Sequence, residues 1–518
     1  MKSECLLAID AGTQSIRSVL VDLEGRILDI SKISIEPYFS KEPGWAEQDP
    51  EYYWKSLCES TGRLLERNKP LHSAIRGVVL TTQRGTVVNL DREGNPLRPA
   101  MVWLDNRRAR GEGYPPFYLK PVFALLGIGG VIESAILDCE ANWIRQHQPE
   151  LWDQTHKYVF LSGFFNHRLT GEYRDSTAGT VGYVPFDYKR QAWAGPRDLK
   201  WKMFPIEREK LVELVKPTEI IGTITPSAAE QTGIPKGLPL VAAAADKACE
   251  VLGSGCRSPE IACLSYGTTA TIETTSDRYV EVVPFLPPFP SAIPNCYNTE
   301  VMIYRGYWLV SWFKREFGHR EISVARERGL EPEALFDEMI ESIPPGSMGL
   351  TLQPYWSPGV KMPGPEAKGA IVGFGDVHTR AHIYRAILEG LAYALKEGAI
   401  RTVKRNGTPI ERVRVSGGGS QSRCAMQLTA DIFDVPAERP QTFETSALGA
   451  AIDGAVGLGL HGDFETAIDE MCHVKDVFEP IPAHRDIYQE LFEKVYLRMY
   501  SRLKPLYDEI RRATGYPP

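Results

Sequence analysis

Asp10-Ala11-Gly12-Thr13 ends an apolar run at the start of the chain, and Arg17 stands four residues further on. Gly267-Thr268-Thr269 ends a second such run, Ile261 to Tyr266, near the middle. Both read as strand, glycine turn, strand. Glycine lets backbone N–H groups approach an anion closely, and threonine adds a hydroxyl donor. Two such turns, one in each half, could hold the phosphate tail of a single nucleotide. Arg17 would be a further donor, and Asp10 a carboxylate for Mg²⁺ or its water shell. A third glycine run, Gly417-Gly418-Gly419-Ser420, lies between the strand Val413-Arg414-Val415 and a helix, a place where backbone meets a nucleotide. No Gly-Lys-Ser/Thr follows it, and it lies far from any N-terminal βαβ unit, so neither a Walker A loop nor a dinucleotide fingerprint is present. Each turn taken alone is equally an ordinary tight turn; the repetition is what points to phosphate.

Asp246 closes the small-residue run Pro239 to Ala245. Small side chains around a carboxylate at a strand end leave room for a substrate, whose hydroxyl proton the carboxylate could accept during attack on phosphorus. The same aspartate could instead cap the helix that follows at Lys247, and the two roles are compatible. Gln83-Arg84 and Trp103-x-Asp105-x-Arg107 each follow a strand. An aromatic face with amide, carboxylate and guanidinium groups suits a polyhydroxylated molecule, and equally a surface salt-bridge cluster. His167, His378 and His382 lack partners in the sequence and read as structural.

The elements that must position these groups are strands and helices in mixed order. A hairpin-rich sheet start spans residues 1–35, and a helix runs from Asp49 to Leu65, capped by Asp49 with Pro50 in its first turn. Strands are expected over Ile75–Leu80, Thr86–Leu90, Ala100–Leu104 and Leu238–Ala245. A short extended link covers Pro217–Ile224, and the 114–170 region reads as mostly helical. The pattern restarts near Gly253-Ser254-Gly255, which marks a boundary. The second half adds a helix from Arg380 to Lys404, and Ala447–Leu460 is rich enough in Ala and Gly to pack closely on a neighbour.

The chain has 518 residues, more than one compact core usually holds, so two domains are expected. The composition, 43% hydrophobic and 24% charged, is that of a globular protein. Net charge is −7, with dispersed basic residues, which argues against nucleic acid or a membrane surface as partner. No secretory leader is read before the first strand, and no apolar stretch reaches the ~18–20 residues that span a bilayer, so a cytoplasmic location is expected. The nine cysteines are scattered; Cys249, Cys256 and Cys263 match no metal-ligand spacing and read as reduced, buried thiols.

The motif order is familiar. Asp10-x-Gly12-Thr13, Trp103-x-Asp105-x-Arg107, Leu169-Thr170-Gly171-Glu172, Asp246 before Gly253-x-Gly255, and Gly267-Thr268-Thr269 come first. Gly369-Ala370-Ile371-Val372-Gly373, Arg385 to Gly390, and Gly417-Gly418-Gly419 complete the series. Over nearly the whole chain this resembles the FGGY carbohydrate kinases, which include xylulokinases, glycerol kinases, ribulokinases and autoinducer-2 kinases. The resemblance implies two actin-like, ribonuclease H-like α/β ATPase domains with a cleft between them. Residues 1–253 would mainly bind sugar, residues 254–518 mainly ATP–Mg²⁺, and hinge closure would join them. By the same resemblance Asp246 is the general base and Asp10 lies near metal and γ-phosphate. Thr13, Gly267 and Thr268 line the phosphates, Gly418 and Gly419 the nucleoside, and Gln83, Arg84, Trp103 and Asp105 contact the sugar.

Three departures bear on substrate. Gly85 stands where glycerol kinases carry a glutamate, and the Met-His-Gly segment of xylulokinases is absent. Lys247 follows the base where Asn, Gln or a Val-type residue is more usual. Turned inward, its ammonium would lower the pKa of Asp246 and could bind an acidic group or an extra hydroxyl; turned outward, it would do neither. The implied activity is ATP-dependent phosphorylation of a primary hydroxyl of a small sugar. The order of expectation is a ketopentose such as xylulose or ribulose, then glycerol or another polyol, then autoinducer-2. The alternative of a different class is an actin-like ATP-dependent binding module. Sugar kinases of this type are often dimers, so a homodimer is expected.

Overall fold

The computed structural model describes residues 4–111, 123, 125, 129–330, 332–359 and 363–516. The 114–170 helical region therefore falls partly outside the described residues.

The first half is built on a six-stranded sheet. Cys5–Ala11 (β1) is buried at every position, as expected of a strand covered on both faces. It pairs antiparallel with Ser15–Asp22 (β2), which pairs antiparallel with Ile27–Ser34 (β3). On its other side β1 runs parallel to Ile75–Thr82 (β4), with Asp10 beside Thr81 and Ala11 beside Thr82. Ile220–Thr223 (β5), where a bare link was expected, forms the antiparallel edge beyond Pro239–Ala242 (β6), which runs parallel to β4. The ends of β1, β4 and β6 thus lie side by side and carry the Asp10 turn, Gln83-Arg84 and Asp246. The carboxyl ends of parallel strands are where open α/β sheets bind ligands.

The second half repeats the plan in a seven-stranded sheet. Ile261–Tyr266 (β7), Ala270–Ser276 (β8) and Tyr297–Ile303 (β10) form the antiparallel meander, with Phe289–Pro290 (β9) at the edge. Arg412–Ser416 (β11) runs parallel to β7, Ala437–Pro440 (β12) parallel to β11, and Val474–Phe478 (β13) closes the far edge. Strand for strand, β3-β2-β1-β4-β6 matches β10-β8-β7-β11-β12. The duplication suggested by two glycine turns is therefore one of topology. Both halves have the actin-like α/β architecture.

Pro50–Arg67 (α1) covers one face of the first sheet; the Asp49 side chain accepts from Glu51 N–H and Pro50 occupies the first turn. Arg380–Asn406 (α3) and Arg423–Phe433 (α4) belong to the core of the second half. Asp246–Gly253 (α2) and Thr445–Gly457 (α5) cross between the halves. Although α5 comes from the second half, it joins Leu6, Ala8, Val79 and Val241 in a core on the other face of the first sheet. The crossing is close. A Cβ on Gly449 would fall 1.9 Å from the Cys249 carbonyl oxygen, and one on Gly253 2.0 Å from that of Thr445. The small-residue run at Ala447–Leu460 thus has its physical reason.

Two expectations need correction. The strand over Ala100–Leu104 reduces to Ala100–Met101; a turn follows, with Asp105 N–H bonded to the Val102 carbonyl at 2.8 Å. Asp246 does not cap a helix starting at Lys247: it is the first residue of α2, and Ala245 occupies the cap.

Candidate active site

Register across β1 and β2 sets Asp10 against Arg17. Arg17 Nη1 lies 3.2 Å from Asp10 Oδ2 and 3.1 Å from Glu444 Oε2, so this nitrogen bridges two carboxylates and anchors Asp10. Burial pushes the Asp10 carboxyl up to about 7. Arg17 pulls it down, while Asp246, Glu444 and Glu250 add negative charge that raises it again. A divalent cation beside Asp10 would relieve that excess, so the donor chemistry fits a cation. Among the described residues no group of three or more His, Cys, Asp or Glu could hold a metal by itself. Magnesium needs none, because it is commonly held by one or two carboxylates together with phosphates and water.

Thr13 is tied into a chain of side chains. Trp103 Nε1 donates to Thr13 Oγ1 at 3.0 Å, Thr13 Oγ1 donates to Gln83 Oε1 at 2.8 Å, and Gln83 Nε2 donates to the Tyr53 hydroxyl at 3.3 Å. The Thr13 hydroxyl thus ties the Trp103 indole to the Gln83 amide. Trp103 is 41% exposed. Arg84 reaches from the end of β4 to Glu300 on β10, Nη2 to Oε2 at 2.8 Å, and lies over the Phe289 ring at 4.8 Å. That pair bridges the two halves. Asp105 differs from expectation. Arg107 and the Ala46 N–H engage both of its carboxylate oxygens, and its side chain is 3% exposed, so it braces the Trp103 loop instead of meeting a substrate.

Asp246 stands at the start of α2, and its Oδ1 accepts from the Lys247 N–H at 2.8 Å. Burial raises its pKa, opposed by Arg84 and Lys247. A raised pKa suits a carboxylate that must take a proton near neutral pH. Lys247 turns inward, donating to Glu250 Oε2 and Ser265 Oγ, both at 2.6 Å. Burial opposes its charge, but Glu250, Glu273 and Asp246 outweigh burial and raise its pKa. The Glu250 carboxyl is held below its ordinary value for the matching reason: burial is overcome by Lys247 and by hydroxyls of Ser416 and Ser265. Glu273, buried beside Glu300, is held well above the usual carboxylate range.

The turn at Gly267 presents an exposed Thr268. Gly417 has φ +80, open to glycine, and a Cβ on Gly419 would strike the Tyr307 ring at 2.4 Å. Gly418 is exposed, with nothing near its Cβ position. A Cβ on Gly12 would meet no atom closer than 3.6 Å, so the fold itself does not demand glycine there.

Asp10, Gly12, Thr13, Gln83, Arg84 and Asp246 therefore stand on neighbouring strand ends, Trp103 joins them through its hydrogen bond to Thr13, and the Gly267 and Gly417 turns stand on neighbouring ends in the second half. Sequence reasoning missed Glu250, Glu300 and Glu444. Glu250 had a local signal, four residues after Asp246 on the same helix. Glu300 and Glu444 had none, since sheet register and domain packing bring them in.

A family profile described as the FGGY family of carbohydrate kinases, N-terminal domain, matches residues 5–253, and its C-terminal counterpart matches residues 262–458. An uncharacterized sugar kinase of Escherichia coli, YgcE, is 31% identical over 502 residues, 96% of this chain and 93% of the relative. A xylulose kinase of Staphylococcus epidermidis is 26% identical, covering 99% of this chain and 100% of its own. A solved xylulose kinase from Rhodospirillum rubrum superposes with a TM-score of 0.81 at 24% identity, covering 98% of this chain and 100% of that one. With both halves matched and the duplicated fold in place, the chain belongs to the FGGY family of carbohydrate kinases.

Proposed function

We propose that this kinase transfers the γ-phosphoryl group of ATP to a primary hydroxyl of a neutral ketopentose such as xylulose or ribulose. The observation that carries the reading is the charge pattern around Asp246. Each cation placed there among the described residues already has a carboxylate partner: Arg84 with Glu300, Lys247 with Glu250, Arg17 with Asp10 and Glu444. A sugar acid would find no free cation and would face the negative charge of Asp246. A neutral polyhydroxyl meets hydrogen-bonding groups and the exposed Trp103 instead. Lys247 is accordingly a partner of Glu250, not a receptor for an acidic group. Similarity to xylulose kinases supports the ketopentose class.

In this reading Asp246 accepts the proton of the attacking hydroxyl as its oxygen bonds to the γ-phosphorus and the bridge to the β-phosphate breaks, releasing ADP. The backbone of Gly12-Thr13 and Gly267-Thr268-Thr269 faces the phosphates, and Gly417-Gly418-Gly419 the nucleoside side. Asp10 would hold Mg²⁺, which when bound neutralises charge on the transferring group. Gln83, Arg84 and Trp103 orient the sugar. Residues 1–253 serve as the sugar-binding half and 254–518 as the nucleotide-binding half; closure of the two excludes water.

The test is a coupled assay of ADP release over D- and L-xylulose, D- and L-ribulose, glycerol, autoinducer-2 and gluconate. A ketopentose should exceed gluconate in kcat/KM by at least about tenfold, ~1.4 kcal/mol of transition-state binding. Gluconate as the best substrate would sink the charge argument, and glycerol or autoinducer-2 would move the substrate class. A rate that ignores the acceptor would mark an ATP-dependent binding module.

A further inference from the structure

Asp246 does not stand alone on α2. One turn on, Glu250 collects three bonds into one buried carboxylate. Its Oε1 accepts from Ser265 Oγ at 2.8 Å and from Ser416 Oγ at 2.5 Å, and its Oε2 accepts from Lys247 Nζ at 2.6 Å. Lys247 Nζ also donates to Ser265 Oγ at 2.6 Å, which closes the network. Glu250, Ser265 and Ser416 are buried. Ser265 and Ser416 are register partners on the parallel strands β7 and β11. Ser416 immediately precedes Gly417, and Ser265 lies two residues before Gly267. The two strands that deliver the phosphate turn and the nucleoside turn thus end side by side on one carboxylate of the helix that begins with Asp246.

We propose that Lys247, Glu250, Ser265 and Ser416 are positioning residues that lock the helix of the base to the two nucleotide turns, so that Asp246 is correctly aimed only when both turns are in place. The inference rests on Asp246 being the base. A buried ion pair contributes little to stability compared with apolar groups of the same shape, so stability alone does not account for one at this junction. A fully satisfied, charge-assisted network does impose a single geometry. Two serine donors on separate strands fix the rotation of α2 about its axis, and Lys247 holds the carboxylate against both. A shift of about 1 Å at a reacting group costs on the order of a hundredfold in rate. The device therefore acts on kcat. None of its four side chains needs to touch substrate.

The experiment uses the full chain with Ser416→Ala, Ser265→Ala, Glu250→Gln and the double variant Glu250→Gln/Ser416→Ala. Turnover is measured with ATP and the sugar of highest kcat/KM in the panel, ADP binding by calorimetry, and melting temperature for each. We expect kcat to fall about tenfold in either serine variant and up to about a hundredfold in Glu250→Gln. KM for the sugar and Kd for ADP should stay within about threefold, and the double variant should lose little beyond Glu250→Gln because the residues act as a unit. Melting temperatures that fall while kcat holds would overturn the proposal, as would additive losses in the double variant. If Glu250→Gln does not fold, the two serine variants decide the question by the same split of kcat from KM. Asp246→Asn runs alongside: full turnover there removes the base reading itself, whereas an inactive Asp246→Asn with unaffected serine variants removes this proposal alone.

Discussion

Replacing Gly449 by alanine would place a methyl carbon 1.9 Å from the Cys249 carbonyl oxygen, 2.7 Å from its carbonyl carbon and 2.9 Å from its Cα. Carbon contacts are best near ~3.5–4 Å, so α2 and α5 must part by on the order of 1.5 Å. The seam between them is lined by Ala248, Cys249, Leu252, Ala447, Leu448 and Ala451, all buried. A gap of ~0.5–1 Å already forfeits a quarter to a half of each dispersion well, and overpacking of this kind costs about 1–3 kcal/mol. For a cooperative unit of ~150–250 residues that corresponds to a fall in melting temperature of about 2–12 °C. Because α2 begins with Asp246, the same displacement moves the proposed base, and a shift of about 1 Å can cost a hundredfold in rate. The assay pairs thermal unfolding by circular dichroism with steady-state turnover, using Gly462→Ala as the control, since a Cβ there meets nothing within 4 Å. The control should stay within about 0.5 kcal/mol of the parent. A Gly449→Ala protein that melts within 1 °C of the parent and turns over within about twofold would refute the crossing geometry and its link to the base.

Asp246→Asn should lower kcat by about 10²–10⁴-fold while ADP binding, followed by calorimetry, stays intact. The acid limb of the kcat/KM profile should lie above the ~3.9 of an ordinary aspartate, because burial raises the Asp246 pKa and the base works only when ionised. Lys247→Met removes a cation that lowers that pKa and leaves Glu250 uncompensated, so the limb should move to higher pH; an unmoved limb or one displaced to lower pH would count against the assignment. Arg84→Gln leaves Glu300 buried without its guanidinium, at a cost of up to about 3–5 kcal/mol. Urea unfolding should show part of that loss recovered in Arg84→Gln/Glu300→Gln; no recovery would mean the two are not energetically paired.

Much of the fold was legible because its signals are local. Apolar runs ending in glycine turns marked β1, β2, β7 and β8, Asp49-Pro50 marked the start of α1, and a small-residue run ending in Asp246 placed a carboxylate at a strand end. Turn chemistry and side-chain period act over a few residues, so one chain suffices to read them. The order of motifs then pointed to the family, which the matches over residues 5–253 and 262–458 bear out.

Partnerships across long sequence separations were not legible. Nothing near Arg17 announces Glu444, nothing near Arg84 announces Glu300, and Ser416 meets Glu250 from 166 residues away. Asp105 read as a sugar ligand until Arg107 and Ala46 were seen to hold its oxygens. Lys247 could point either way until α2 docked against β7. The sequence by itself determined which segments become strands, turns and helices and which residues are candidates for the chemistry, because those depend on neighbours along the chain. The tertiary structure alone decided which charges remain free to meet a substrate. That depends on sheet register and on the crossing of α2 with α5, which bring distant carboxylates to the cations and leave Asp246 among neighbours already paired.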